Sequence, residues 1–320
     1  MKRVKSFQNK QTGVLSSSDL KTGWGQFVYW LFFGILIICC VLSLLPAIWA
    51  VLTAFKETEE IYSSFTFFPK AEDFIPANMW AKITTAWNEL NILRPIVNTV
   101  FMSVVQLAFT LVVTGFGGYV LSKLKPRGSA LIFVLVIWTM MMPSQIRMVP
   151  AYVANLHFPF AYPIQNPLGK GVLGISLLGT YWPMWISAAA NTFNVVLFKN
   201  SFDALSQSYV EAGKLDGCGN FGIFFRIMLP LSLPSIIYVS IITLSGAWAD
   251  FFSGVLYLQS KPDLVTVPYK VYLVQNSSGD NIQMNTIFMC FIFASIPPFI
   301  IFACFQKHIM GGVNIGGVKG

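Results

Sequence analysis

The sequence predicts an all-α polytopic membrane protein with six transmembrane helices, and two observations carry that class. Of 320 residues, 55% are hydrophobic and only 11% charged, with a mean hydropathy of +0.64, which is membrane rather than globular composition. Residues 22–55, 95–122, 128–146, 171–198, 227–249 and 281–306 contain no Asp, Glu, Lys or Arg. Each run suffices for one span, since about 20 apolar residues cross a hydrocarbon core of about 30 Å.

Residues 1–26 read as a polar tail, rich at its start in Lys, Ser and Gln. The first helix, 27–55, is about twice the length of a secretory apolar region and no small-residue cleavage site follows Leu52, so it reads as a retained span. Pro46 is expected to kink it. A long loop, 56–94, carries Trp80 and Trp87, residues suited to a membrane interface. The second helix, 95–122, holds Gly115, Gly117 and Gly118, which leave room for a close helix neighbour.

The third helix, 129–151, runs into MMMPSQIRMVPAY, where Pro143 and Pro150 bracket Gln145 and Arg147. Irregular backbone and ionisable side chains at membrane depth are tolerated where they face a cavity or a partner. Gln145 and Arg147 are therefore candidates for a translocation path; the alternative is that the helix has ended and Arg147 snorkels outward. The fourth helix, 173–198, offers Asn191 and Asn194, expected to hydrogen-bond to neighbouring helices or to line the same path. The fifth, 233–258, contains Asp250 in GAWADFF, which either lines the path, pairs with Arg147 or lies near water. Lys261-Pro262-Asp263 and Ser278-Gly279-Asp280 mark turns in the loop 259–285. The sixth helix, 286–305, precedes a short tail, 307–320.

Six crossings put both termini on one side of the membrane. That side holds 13 of the 21 basic residues and the other holds 8, so it is read as cytoplasmic. This bias accounts for the sequence pI of about 9.2, and no basic stripe interleaved with aromatics points to nucleic acid. The five cysteines imply no disulfide framework. No HExxH, GxSxG, CxxC or phosphate-loop pattern occurs, and His157 and His308 have no neighbouring ligands. Metal, nucleotide and acyl-enzyme chemistry are thus not expected, and energy for uphill transport must come from an ion gradient or another subunit.

Between the fourth and fifth helices lies the charged, glycine-broken loop 199–232. Phe202, Leu205, Tyr209 and Ala212 fall at helical spacing, Asp216-Gly217 then stops the helix, and Asn220 is a candidate N-cap for a second one. Phe221, Phe224, Phe225 and Met228 share a face of that second helix. A helix, a glycine turn and a helix on the cytoplasmic surface read as a docking element.

Glu211-Ala212-Gly213, then Gly217 after three residues, then Ile227, Leu229 and Pro230, is similar to the EAA signature (EAA-x3-G-x9-I-x-LP) of ABC importer permeases. LLPAIWAVLTAFK, NTVFMSVVQ, GGYVLSKLKPRG, WADFF and QKHIMGGVNIGGVKG extend the resemblance to carbohydrate-type permeases of the maltose-transporter class, with the type I importer permease fold. The resemblance implies a permease without its own ATP site, paired with a second permease, two ATPase subunits that bind MgATP, and an extracellular solute-binding protein that contacts the loop 259–285. It makes the EAA segment the coupling helix, with Glu211 as acidic contact, Gly217 as turn, and Phe221, Phe224 and Phe225 as apolar anchors. Gly213 stands where the family usually has alanine, which should loosen the first short helix by up to ~1 kcal/mol. The alternatives are an ABC permease for a non-sugar solute and a proton- or ion-driven carrier using Arg147 and Asp250; the latter would act alone and carry an inverted repeat, which the sequence does not display.

Overall fold

A computed structural model describes residues 23–63, 66–159, 164–165, 172–276 and 282–310. The chain falls into two units, Met1–Met79 and Trp80–Gly320. In the first, α1 (Gly23–Ala54) is apolar and largely exposed, and it continues helical through Pro46. It is followed by α2 (Thr58–Ser63), where Lys56 Nζ donates to the Thr66 carbonyl and Thr66 Oγ1 donates to Glu60 Oε1 at 2.8 Å. The expected loop 56–94 is thus partly helical, and α3 (Pro76–Leu90) closes it.

The second unit is organised around α4 (Leu93–Tyr119), which ends in a π turn over Val120–Leu124. A buried row of small and polar residues, Ser103, Thr110, Thr114, Gly115 and Gly118, runs along it. Small residues let backbones approach closely where apolar solvent gives little drive for helix association. The unit also holds α5 (Ser129–Met141), α6 (Ser144–Leu156), α7 (Trp182–Ala189), α8 (Thr192–Asp203), α12 (Leu233–Ala249), α13 (Phe251–Tyr257), α14 (Val267–Asn276) and α15 (Met284–Met310). The closest partners of α4 are α8, α7 and α12. Between α8 and α12 lie three short pieces: α9 (Ser208–Leu215), α10 (Asn220–Ile223) and α11 (Leu229–Leu231).

Two cores form at opposite ends of α4. Met102, Tyr181, Met184, Ala247, Tyr257 and Tyr269 pack at its N-terminal end, and Tyr119, Phe198, Phe202, Val210, Phe224 and Met228 at the other. At the first end the chain 262–267 is tied down: Arg94 pairs with Asp263 at 2.9 Å, and Asn98 Nδ2 donates to the Asp263 and Val265 carbonyls at 2.8 and 3.0 Å.

Three of the expected single spans are interrupted. The third bends at Pro143, between α5 and α6. The fourth does not begin at 173: Val172–Leu173 pairs antiparallel with Ile164–Gln165, and helix starts only at Trp182 with Pro183 in its first turn. Gly174 and Gly179 carry φ of 114° and 72°, a conformation no helix accommodates. This stretch breaks again between Ala189 and Thr192, and the fifth span breaks at Asp250. Among the described residues three helices are long and apolar enough to cross a membrane, and two bent pairs raise the number to five. The tail residues 1–22 and 311–320 and the turn Ser278-Gly279-Asp280 lie outside the described residues.

Candidate functional site

The segment after α8 forms two short helices with a sharp turn, but in a different register from the sequence expectation. The face Phe202, Leu205, Tyr209, Ala212 is split, because α8 stops at Asp203 and α9 starts at Ser208. Gly217 ends α9 with φ 76°, its N–H donating to the Lys214 carbonyl at 3.1 Å while the Cys218 N–H donates to the Gly213 carbonyl at 2.9 Å. This bond pair is a Schellman motif, with glycine at the position that must be left-handed. Asp216 is the residue at the helix end and is exposed. Asn220 is the first residue of α10 rather than its cap; Gly219 precedes the helix with extended backbone.

The aromatic face divides. Phe221 and Phe225 are exposed, whereas Phe224 is fully buried with Met228. Phe221 and Phe225, four residues apart, face outward, while Phe224 and Met228, also four apart, face the core, with a π turn over Phe224–Met228. The Phe224 ring lies against Gly115, where an added Cβ would meet Phe224 Cζ at 3.3 Å. Phe224 is therefore a core residue and not a surface anchor. Phe221 stacks on Phe116 with ring centroids 4.9 Å apart and planes at 3°. Glu211 and Ala212 are exposed, Leu229 is half-buried and Pro230 exposed.

Leu215, missed by the sequence reading, is 89% exposed at the tip of α9. An isolated leucine beside Lys214 and Asp216 looks like turn filler, and only the fold shows it projecting. The Gly213 departure also changes meaning. Gly213 is buried, and a Cβ there would lie 3.0 Å from both Ile223 Cγ1 and Ile227 Cδ1. Glycine is the size complement of those isoleucines, so the packing it permits offsets the helix-propensity loss.

The path candidates meet only in part. Gln145, Arg147 and Asn191 line one cavity of about 810 Å³, together with Ser187, Ser253 and Tyr257. Among the described residues Asn191 shows no bond to a neighbouring helix; its Oδ1 accepts from the Asn194 N–H at 3.1 Å and caps α8. Asn194 is 2% exposed, and its side-chain oxygen has no hydrogen-bond partner among the described residues. Asp250 caps α13: Oδ1 accepts from the Ser253 N–H at 2.9 Å and Oδ2 from Ser253 Oγ at 2.5 Å. Both its oxygens thus turn to Ser253 rather than to Arg147, and Asp250 itself is absent from the cavity wall.

A second set of polar contacts joins the short helices to α4. Ser122 Oγ donates to Asp203 Oδ1 and Lys199 Nζ to Oδ2, each at 2.6 Å. Burial alone would raise the Asp203 carboxyl, but hydrogen bonds from Lys199 and Ser122 and the charges of Lys199 and Lys125 outweigh it and hold it below its ordinary value.

Comparison with known proteins places the chain. The model of the binding-protein-dependent transport system inner membrane component family matches residues 114–314. The polygalacturonan/rhamnogalacturonan transport system permease protein YtcP of Bacillus subtilis is 28% identical over 91% of this chain and 97% of its own. The arabinooligosaccharides transport system permease protein AraQ of the same organism is 31% identical over 69% of this chain and 73% of its own. In fold, the chain is similar to one from the crystal structure of a bacterial ABC transporter involved in the import of the acidic polysaccharide alginate, with a TM-score of 0.71, 20% identity, and coverage of 92% of this chain and 99% of that one. The chain belongs to the binding-protein-dependent transport system inner membrane component family, the membrane-embedded permeases of ABC transporters.

Proposed function

We propose that this chain is the permease subunit of an ATP-driven, binding-protein-dependent importer of a sugar or oligosaccharide. Family membership supports the permease role, and the names of relatives that carry polygalacturonan, arabinooligosaccharides or diacetylchitobiose support the solute class. In this reading the chain pairs with a second permease, receives solute from an extracellular binding protein at the loop 259–285, and crosses the membrane six times with both termini cytoplasmic. MgATP is bound and hydrolysed by two partner subunits, consistent with the lack of a phosphate loop in this sequence.

The observation that carries the coupling role is the short pair α9–α10, which presents Glu211, Leu215 and Phe221 outward from one Schellman turn. Glu211 supplies the acidic contact, Leu215 and Phe221 the apolar ones, and Phe225 widens that surface. The cavity lined by Gln145, Arg147 and Asn191 is the assigned solute path, with Asp250 and Asn194 shaping its wall from behind. An ATPase dimer that binds the inward- and outward-open states with different affinity then drives the cycle. Substituting Glu211→Lys should abolish both stimulated ATP hydrolysis and uptake of radiolabelled oligosaccharide while the protein still inserts. Undiminished uptake would remove the coupling assignment, and uptake of none of a panel of sugars by the unsubstituted transporter would remove the solute class.

A further inference from the structure

We propose that Asp203 is a positioning residue that fastens the 208–231 segment to the cytoplasmic end of α4, so that a displacement of the segment carries α4 with it. This inference rests on the coupling role proposed above. Asp203 is the last residue of α8, immediately before the four-residue link to α9. Its carboxylate takes one hydrogen bond from Ser122, buried in the π turn that ends α4, and one from Lys199 of its own helix, each at 2.6 Å. Next to it, Lys123 Nζ donates to the Leu205 carbonyl at 2.6 Å, so α4 holds the link at two successive points. Lys199 Nζ also lies 4.6 Å from the Phe133 ring centroid, which brings α5 into the same joint.

Helix stability alone does not account for this arrangement. A carboxylate at a helix C-terminus opposes the macrodipole, and a lysine four residues before an acid is the weaker order of that pair. What the placement achieves is a charge-assisted bond between two helices, the stronger kind of hydrogen bond. The other end of the segment is held by apolar contact, Phe221 stacked on Phe116 and Phe224 packed on Gly115. The short helices are thus tied to α4 at both ends, one tie polar and one aromatic. A contiguous, rigid connection of this kind can carry coupling between distant sites.

The test uses the assembled transporter in nanodiscs, with native cysteines replaced and Ser187→Cys in the cavity as reporter. A charged methanethiosulfonate reports how the modification rate of that introduced thiol changes on trapping with MgATP and vanadate, and ATP hydrolysis is measured in parallel. In Asp203→Asn and Ser122→Ala, hydrolysis should stay within about twofold while the nucleotide-dependent change in modification falls about tenfold, the loss of one charge-assisted bond. The double substitution should fall no further than either single one, because both remove the same bond. A retained nucleotide response overturns the proposal. So does a parallel fall of hydrolysis and response, which would make Asp203 a folding residue only. If the unsubstituted transporter shows no nucleotide response, the coupling role itself has failed and this inference falls with it.

Discussion

Replacing Gly217 isolates the conformational requirement of the segment from its packing. At φ 76°, an added Cβ meets nothing within 4 Å, so substitution carries no steric term from neighbours and only the left-handed backbone is at stake. A residue with a Cβ pays about 1 to 2 kcal/mol to remain there. If it leaves that conformation, the bonds from Gly217 and Cys218 to the Lys214 and Gly213 carbonyls are lost, each worth about 0.5 to 1.5 kcal/mol net. The cheaper route sets the cost, so roughly 1 to 2 kcal/mol is removed, a five- to thirtyfold drop in the population of this turn geometry. The assay is nucleotide hydrolysis by the assembled transporter at limiting ATPase subunit, across a series at position 217. Gly217→Asn should come nearest to the unsubstituted chain, because its short polar side chain tolerates the left-handed region; Gly217→Ala should follow, and β-branched Gly217→Val should be worst. Gly222→Ala serves as control, since Gly222 is helical and its added Cβ would only touch Cys218 Cβ at 3.7 Å. Gly217→Val performing as well as the unsubstituted chain, or Gly217→Asn as poorly as Gly217→Val, would refute the argument.

Gly118→Ala should lower the Tm of the purified chain. Its Cβ would lie 2.7 Å from the Lys199 backbone nitrogen and from Phe198 Cβ, and overpacking of roughly 1 to 3 kcal/mol exceeds the gain of about 1 kcal/mol in helix propensity; a raised Tm would show that α4 and α8 part easily. The Asp203 tie should be insensitive to pH over the physiological range. Its folded carboxyl titrates below the ordinary value of 3.8, so its stabilisation is present above 3.8 and is lost as pH falls through the lower folded value. The Tm difference between the unsubstituted chain and Asp203→Asn should therefore hold steady from about pH 8 to pH 5 and close only below; a difference that vanishes near pH 6 would contradict the assignment.

The 208–231 segment was legible where residue type dictates backbone. Asp216-Gly217 announced its turn, because few residues other than glycine adopt φ 76° without strain. It was not legible where burial depends on a neighbouring helix. Spacing put Phe221, Phe224 and Phe225 on one face, but the space at Gly115 of α4 takes the Phe224 ring into the core and leaves the other two outside. Hydropathy found the apolar runs but not their breaks. Residues 171–198 are uncharged whether they form helix or loop, and Gly174, Gly179 and Pro183 were the available signals of a late helix start. Asp203 lies 81 residues from Ser122 and 4 from Lys199, and only the packing of α8 against the end of α4 brings the three together.

Pro143, the 190–191 break and Asp250 interrupt three stretches that read as spans, and residues at or beside all three surround the same cavity. An interrupted helix leaves backbone N–H groups without partners, and in an apolar medium each must be satisfied by a side chain or by water. Asn191 and Asp250 meet that need as caps, and so two polar residues first read as path lining have a backbone role that needs no solute. The two roles reinforce each other. Open backbone in a span is tolerated where it borders a water-filled cavity; of the two caps Asn191 is at the cavity wall, whereas Asp250 lies behind Ser253, which lines it. Arg147 differs, since it lines the cavity while lying inside α6 rather than at a helix end. Of the five polar residues taken from the sequence as path candidates, Arg147 is therefore the charged one whose position a helix cap does not explain.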